Sequence, residues 1–236
     1  MSTKLLVIIP VSVDIWDSVT LEIARKVLSP NTEIVVRHIP DAPPYIETEY
    51  EKQLAAPLVV REVIKANKEG FHGIVINCFD DPGLEASREV SDIPVFGIGE
   101  TSLMVATLLG YNIAIIVPSH GEFASIYNII YRRRTSELGI EKRVVHISRV
   151  KIPILDLRKD VELVKTTLLD EIKRAVEEYH VDVVVLGCGG FAGLGGELSK
   201  FAGIPVIDPL PTTLKVAEAL LELGLRHRKV KTPLTT

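Results

Sequence analysis

The chain contains two cysteines, Cys78 and Cys188, in matching settings, and thiols so placed point to proton transfer. Around the first the sequence reads HGIVINCFDDPGLEASREVSDIPVFG, and around the second VDVVVLGCGGFAGLGGELSKFAGIPVID. In both, a β-branched apolar run leads straight into the cysteine, and a Gly-containing turn, a short helical stretch and Ile-Pro-Val follow. Cys78 lies 16 positions before Pro94, and Cys188 lies 17 before Pro205. The opening strand repeats too, since KLLVIIP from Lys4 resembles NIAIIVP from Asn112 at an offset of 108, against 110 for the cysteines. Ordinary alternation of strands and helices does not bring three such features into step. The chain therefore reads as two homologous halves, each presenting one thiol at the carboxyl end of a parallel strand.

A thiol is a workable general acid and base because its ordinary pKa, about 8.5, lies close to working pH. If the halves face each other across a pseudo-twofold axis, Cys78 and Cys188 approach one carbon from opposite sides, which suits removal of a proton from one face and delivery to the other. The turns after them, Phe79–Gly83 and Gly189–Gly193, supply backbone amides that favour a thiolate and hold the enolate oxygen that develops as the proton leaves. The competing reading is packing: a lone cysteine at the end of a buried strand is usually a small core hydrophobe. Two at equivalent places of a repeat shift the balance to chemistry. Two cysteines do not make a zinc site by themselves, and none of His38, His72, His120, His146, His180 and His227 stands at ligand spacing to them. Asp80 and Asp81, followed by Pro82, read as turn and cap residues rather than a metal pair.

Apolar residues at 47% and charged residues at 25% are ordinary for a water-soluble globular protein, and 236 residues suffice for one large domain or two small ones. A net charge of −4 argues against non-specific binding to nucleic acid or an anionic membrane, and the short cluster Arg132-Arg133-Arg134 does not change that. The longest apolar runs end far short of the ~20 residues a spanning helix needs, and nothing before the first strand resembles a signal peptide, so none is expected. The expectation is a cytoplasmic protein whose thiols stay reduced.

The elements that must position the thiols follow from periodicity. Strands are expected at residues 5–9, 32–39, 73–77 and 93–96, then at 113–117, 144–150, 183–186 and 206–207. Helices are expected at about 15–28 with Asp14 as cap, 47–69 with Pro57 as a kink or the true start, 82–90, 99–109, 122–138 and 161–179, then a short one after Cys188, and 212–223. Strands alternating with helices imply an α/β fold of two pseudo-symmetric doubly wound domains, each a mainly parallel sheet flanked by helices, with the active site in the cleft between them.

The segments CFDDPGLEASRE and IPVFGIGE resemble those around the first cysteine of hydantoin racemases of the aspartate/glutamate racemase superfamily. LGCGGFAGLGGELSKFAGIPVID, with the later LGLR, resembles the second, and ATLLGYNIAIIVPSHG and VKIPILDL extend the likeness over nearly the whole chain. Amino-acid racemases of that superfamily typically carry Cys-Asn-Thr and Cys-Thr-His, where this chain has Cys78-Phe79-Asp80 and Cys188-Gly189-Gly190. The resemblance implies Cys78 and Cys188 as the catalytic acid/bases, with no cofactor and no metal. It implies one domain of residues 1–97 with 209–236 and another of 98–208, the last helix returning to the first half. The family's Asn-Pro-Asn-Thr-Ser after the first strand is Ile9-Pro10-Val11-Ser12-Val13 here, so Ser12 is left as a polar contact on that side. Ser119, Phe79, Asp80, Gly189 and Gly190 complete the candidate substrate contacts; Ser119 serves equally as a helix cap, Phe79 equally as packing, and His120 is assigned to the surface or a cap. The expected reaction is racemisation of a 5-substituted hydantoin or related cyclic ureide such as allantoin, in a homo-oligomer that binds a small molecule. An amino-acid racemase, an isomerase or decarboxylase on the same scaffold, and a non-catalytic ligand-binding module fit the same pattern.

Overall fold

The computed structural model describes residues 3–118 and 124–228, with the backbone alone for residues 124–130. Ser119 and His120 lie outside the described residues. The chain divides into two compact units, residues 1–99 with 210–236 and residues 100–209.

The first unit contains β1 (Thr3–Ile9), α1 (Asp17–Val27), β2 (Thr32–His38), α2 (Glu49–Ala66), β3 (Gly73–Ile76), α3 (Leu84–Val90) and β4 (Val95–Gly97). The chain enters the second unit in the first turn of α4 (Ile98–Leu109). There follow β5 (Ile113–Pro118), α5 (Ala124–Glu137), β6 (Val144–Val150), α6 (Val161–Tyr179), β7 (Val183–Leu186), α7 (Gly195–Ala202) and β8 (Val206–Ile207). Helix α8 (Pro209–Glu222) then carries the chain back into the first unit. The sheets have the orders β2-β1-β3-β4 and β6-β5-β7-β8, every pairing parallel. The doubly wound α/β architecture expected from the sequence is the one observed.

Burial explains the sequence pattern of the strands. The central β3, β5 and β7 are buried along their whole length, as the continuous runs GIVI, IAIIVP and VVVL require when both faces are covered. Edge strand β6 alternates buried and half-buried residues, so VVHISRV is covered more fully on one face than on the other. In α2 the buried residues are Ala55, Val59, Val63 and Ala66; in α6 they are Val164, Leu168, Ile172 and Ala175, each at an offset of 109. Both sets keep the i, i+4, i+8, i+11 stripe that lays a helix on a sheet. Each wholly buried Leu or Ile of β1 and β3, such as Leu6, Ile8, Ile74 and Ile76, contributes about 2 kcal/mol.

The helix starts differ from the sequence reading at several places, α8 beginning at Pro209 where residue 212 was expected. Helix α1 begins at Asp17, and Asp14 instead accepts the Asp17 N–H through its carbonyl, closing a turn ahead of the helix. Helix α2 starts after Thr48, whose N–H and hydroxyl both donate to the Glu51 carboxylate at 2.6 and 2.7 Å, and Pro57 lies inside the helix rather than at its start. Helix α3 begins at Leu84, after Gly83 in the left-handed conformation, so Pro82 belongs to the preceding turn.

Helix α8 is tied to the first unit by a buried carboxylate. Glu218, 2% exposed, accepts hydrogen bonds from the Ser29 N–H at 2.9 Å and the Thr32 hydroxyl at 2.5 Å, and Lys215 reaches it at 2.6 Å. Burial pushes its carboxyl upward, but Lys215, Thr32 and Ser29 together outweigh that and hold the pKa at about 2. A carboxyl depressed in the folded state contributes stability that is fully present above its unfolded value near 4.3 and is lost as pH falls toward 2. The expected contribution at neutral pH is about 3 kcal/mol. In urea unfolding, wild type loses more stability than Glu218→Gln on moving from pH 6 to pH 3; an equal loss in both proteins contradicts the assignment.

Candidate active site

In a doubly wound sheet, ligands bind beyond the carboxyl ends of the strands at the point where strand order reverses. That point lies between β1 and β3 in the first unit and between β5 and β7 in the second. The last rung of each ladder is equivalent: the Asn77 N–H donates to Ile8 O at 2.8 Å, and the Gly187 N–H donates to Ile116 O at 2.7 Å. The next residue in each copy is the cysteine. With Ile8 opposite Ile76 and Ile116 opposite Leu186, the register carried two residues further sets Cys78 beside Pro10 and Cys188 beside Pro118. Each cysteine thus stands one residue past the last rung, at the switch point of its own sheet.

The turns after the cysteines are also equivalent. Cys78 O accepts the Asp81 N–H at 3.0 Å, and Cys188 O accepts the Phe191 N–H at 3.2 Å. Such a turn closes with the N–H of its fourth residue, so the amides of the second and third residues are not used by it. In the second unit one of these, Gly190 N–H, donates to Cys188 Sγ at 3.3 Å, the donor a thiolate needs. Both cysteines are free thiols and half-buried, accessible enough to react yet held by the packing around them.

The other sequence candidates take distinct places. Ser12 is half-buried in the loop after β1, its N–H donating to Pro43 O at 3.0 Å. Phe79 is 4% exposed, so its ring belongs to the interior. Asp80 and Gly189 are half-buried and Gly190 is buried. Ser119 is not among the described residues. Within each unit the fold brings the cysteine together with its turn: Cys78 with Phe79 and Asp80, Cys188 with Gly189 and Gly190. Val11, where the resembled family carries a polar side chain, is buried beside the β1 terminus, its N–H spent on Ile9 O and its carbonyl on the Ile39 N–H. Among the described residues there is no cluster of three or more His, Cys, Asp or Glu suited to a metal, and no helix is long and apolar enough to cross a membrane.

Several residues around the turns have partners that the sequence reading did not supply. Asp81, 2% exposed with φ 46°, directs its carboxylate past its own turn to accept the Gly99 N–H at 2.9 Å. Asp208, at the end of β8, accepts the Gly193 N–H at 2.6 Å and the Gly195 N–H at 3.3 Å. Arg158 donates to Ala192 O at 2.5 Å and so holds the second turn from the α6 side. Asn77, 6% exposed, donates to the Thr20 hydroxyl at 3.3 Å and joins the Cys78 strand end to α1. Superposing the repeats would have singled out Asp208, which stands opposite Gly97, but nothing local marked what it bonds.

Close packing accounts for the glycines at the first turn. A Cβ at Gly99 would lie 1.9 Å from Phe79 O, and one at Gly97 would lie 2.4 Å from the Asp81 carboxylate. Backbone meets backbone at Gly99, so no side-chain rotation relieves a methyl group there. Gly99→Ala is expected to cost about 3 kcal/mol, from overpacking and the lost Asp81 contact. Urea unfolding measures this, and a change below 1 kcal/mol would mean the turn is free to shift.

Comparison with known proteins shows the family and the fold. Residues 5–217 match the family model described as Asp/Glu/Hydantoin racemase. A hydantoin racemase of Pseudomonas sp. (strain NS671) is 34% identical over 209 residues, covering 89% of this chain and 82% of that protein. The solved allantoin racemase from Klebsiella pneumoniae superposes with a TM-score of 0.88 at 27% identity, covering 99% of this chain and 98% of that one. The allantoin racemase from Pseudomonas fluorescens gives a TM-score of 0.88 at 26% identity, with coverage of 97% and 95%.

Proposed function

The chain belongs to the Asp/Glu/hydantoin racemase family, whose members named above are isomerases of the racemase type, and from that premise we propose that it inverts the stereocentre of a 5-substituted hydantoin or related cyclic ureide such as allantoin. The observation that carries this reading is the equivalent placement of Cys78 and Cys188, one residue past the last ladder bond of each sheet and at the head of the same turn.

In the proposed reaction one cysteine, as thiolate, removes the proton from the ring's stereocentre while the other, as thiol, delivers a proton to the opposite face. Charge is conserved throughout: the first sulfur gains a proton, the second loses one, and the carbon passes through a planar enolate. Gly189 N–H, beside the Gly190 N–H that already donates to Cys188 Sγ, is the donor assigned to the developing oxyanion. A second turnover in the reverse direction resets the thiols. No redox change or covalent adduct is required, so the side chains named supply the whole chemistry.

The family's charged and neutral substrates make different demands. A cyclic ureide forms a conjugated planar enolate with no carboxylate next to it, and so is the easier carbon acid. Buried Val11, with both backbone groups already hydrogen-bonded, offers no polar anchor for an amino acid's carboxylate and fits a neutral ring.

In heavy water, a single enantiomer of 5-isopropylhydantoin or of allantoin is expected to lose optical rotation and take up deuterium with wild type. Cys78→Ala and Cys188→Ala are each expected to slow inversion by about 10³-fold or more, as loss of a positioned acid or base does. Exchange into aspartate or glutamate with none into either ureide would reassign the substrate; inversion persisting in either cysteine variant would remove the two-thiol mechanism.

A further inference from the structure

Two buried carboxylates hold the cysteine turns, and they come from opposite ends of the repeated segment. Counting from each cysteine, Asp81 stands where the second copy has Phe191; counting from each Ile-Pro-Val, Asp208 stands where the first copy has Gly97. In the first unit the carboxylate leaves the cysteine turn and reaches the chain beyond β4, where Gly99 N–H donates to it. In the second unit the carboxylate sits just beyond β8 and reaches back to the cysteine turn, where Gly193 and Gly195 N–H donate to it. The glycines make each approach possible: Gly97 lacks the Cβ that would strike the Asp81 carboxylate, and a Cβ at Gly195 would lie 2.7 Å from Asp208 Cβ.

We propose that Asp81 and Asp208 are the positioning residues of the two proton transfers, Asp81 for Cys78 and Asp208 for Cys188, a role that rests on the two-base reading above. A fold needing one conserved cap would keep the carboxylate at one position of the repeat. Here its position differs and its effect does not: each copy has one carboxylate joining the cysteine turn to the end of the last strand. Asp81 also holds a left-handed backbone, a conformation that aspartate tolerates better than most non-glycine residues and that local bonds stabilise. Its N–H on Cys78 O, its carbonyl accepting from Leu84 and its carboxylate on Gly99 supply those bonds. Rotation of either turn would swing the sulfur and the neighbouring amides together. A displacement of about 1 Å from the reacting carbon is enough to cost about a hundredfold in rate.

The two-base mechanism provides a readout that a structural role would not move. Each pure enantiomer of 5-isopropylhydantoin is incubated in heavy water with the full-length enzyme, and deuterium uptake and inversion are followed separately. In wild type, both enantiomers exchange and invert. Asp81→Ala is expected to slow inversion about ten- to hundredfold. The enantiomer deprotonated by Cys188 should still take up deuterium with retention, and the other should not. Asp208→Ala is expected to show the opposite handedness, and Asp81→Asn and Asp208→Asn, whose amide oxygens still accept the same N–H groups, should stay within about threefold of wild type. If the alanine variants fail to fold, Asp81→Glu and Asp208→Glu, which keep the charge but shift it by one methylene, carry the same test. Equal loss with both enantiomers assigns the carboxylates to the fold alone and overturns the proposal. Cys78→Ala and Cys188→Ala separate the two levels of the argument: if these do not show opposite handedness, the two-base reading itself fails. If they do while the aspartate variants do not, only the positioning role fails.

Discussion

Everything at the site depends on where a parallel ladder stops. A parallel strand buried on both faces must satisfy each N–H and C=O from its neighbours, so the first residue beyond the last rung is the first whose backbone the ladder does not claim. In this chain that residue is a cysteine in both sheets, because Asn77 and Gly187 make the final bonds to Ile8 and Ile116. Pro10 and Pro118 end the neighbouring strands at the same level. The chemistry is therefore placed by backbone hydrogen bonding before any side chain is considered.

The two copies share a skeleton and differ in how they stiffen it. The ladder ends, the turns closed on the cysteine carbonyls and the buried stripes of α2 and α6 recur almost residue for residue. The residues between diverge: Phe79-Asp80 against Gly189-Gly190, Asn77 against Gly187, and a carboxylate that has changed ends. Each copy thus fixes its cysteine turn to its own sheet through different side chains. One turn donates to its sulfur through Gly190 N–H at 3.3 Å, and the other is wedged against Gly99.

The apolar end of β1 gives the site its chemical character. Where the resembled family has polar side chains this chain has Ile9, Val11 and Val13, and the backbone around Val11 is closed by bonds to Ile9 and Ile39. Burying a charged group against such a surface is unfavourable, whereas a neutral ring loses little there.

The sequence alone determined the α/β class, the duplication and the thiol-bearing strand ends, since these reside in short-range pattern: continuous apolar runs for central strands, a 3.6-residue stripe for α2 and α6, and proline or glycine where runs stop. Residues with two local readings came out less clearly. Asp14 looked like a helix cap and Pro57 like a kink or a helix start, yet α1 starts at Asp17 behind a turn closed on Asp14 O, and α2, with Pro57 inside it, is set by Thr48 and Glu51. Asp81 read as a turn residue, and only folding showed its carboxylate on Gly99, 18 positions away. Glu218 binding Ser29 and Thr32, and Asp208 binding Gly193 and Gly195, were decided in the same way by the tertiary structure. Hydrogen bonds between segments distant in the chain leave no periodicity behind, because their partners are chosen by how sheets and helices pack and not by spacing along the sequence.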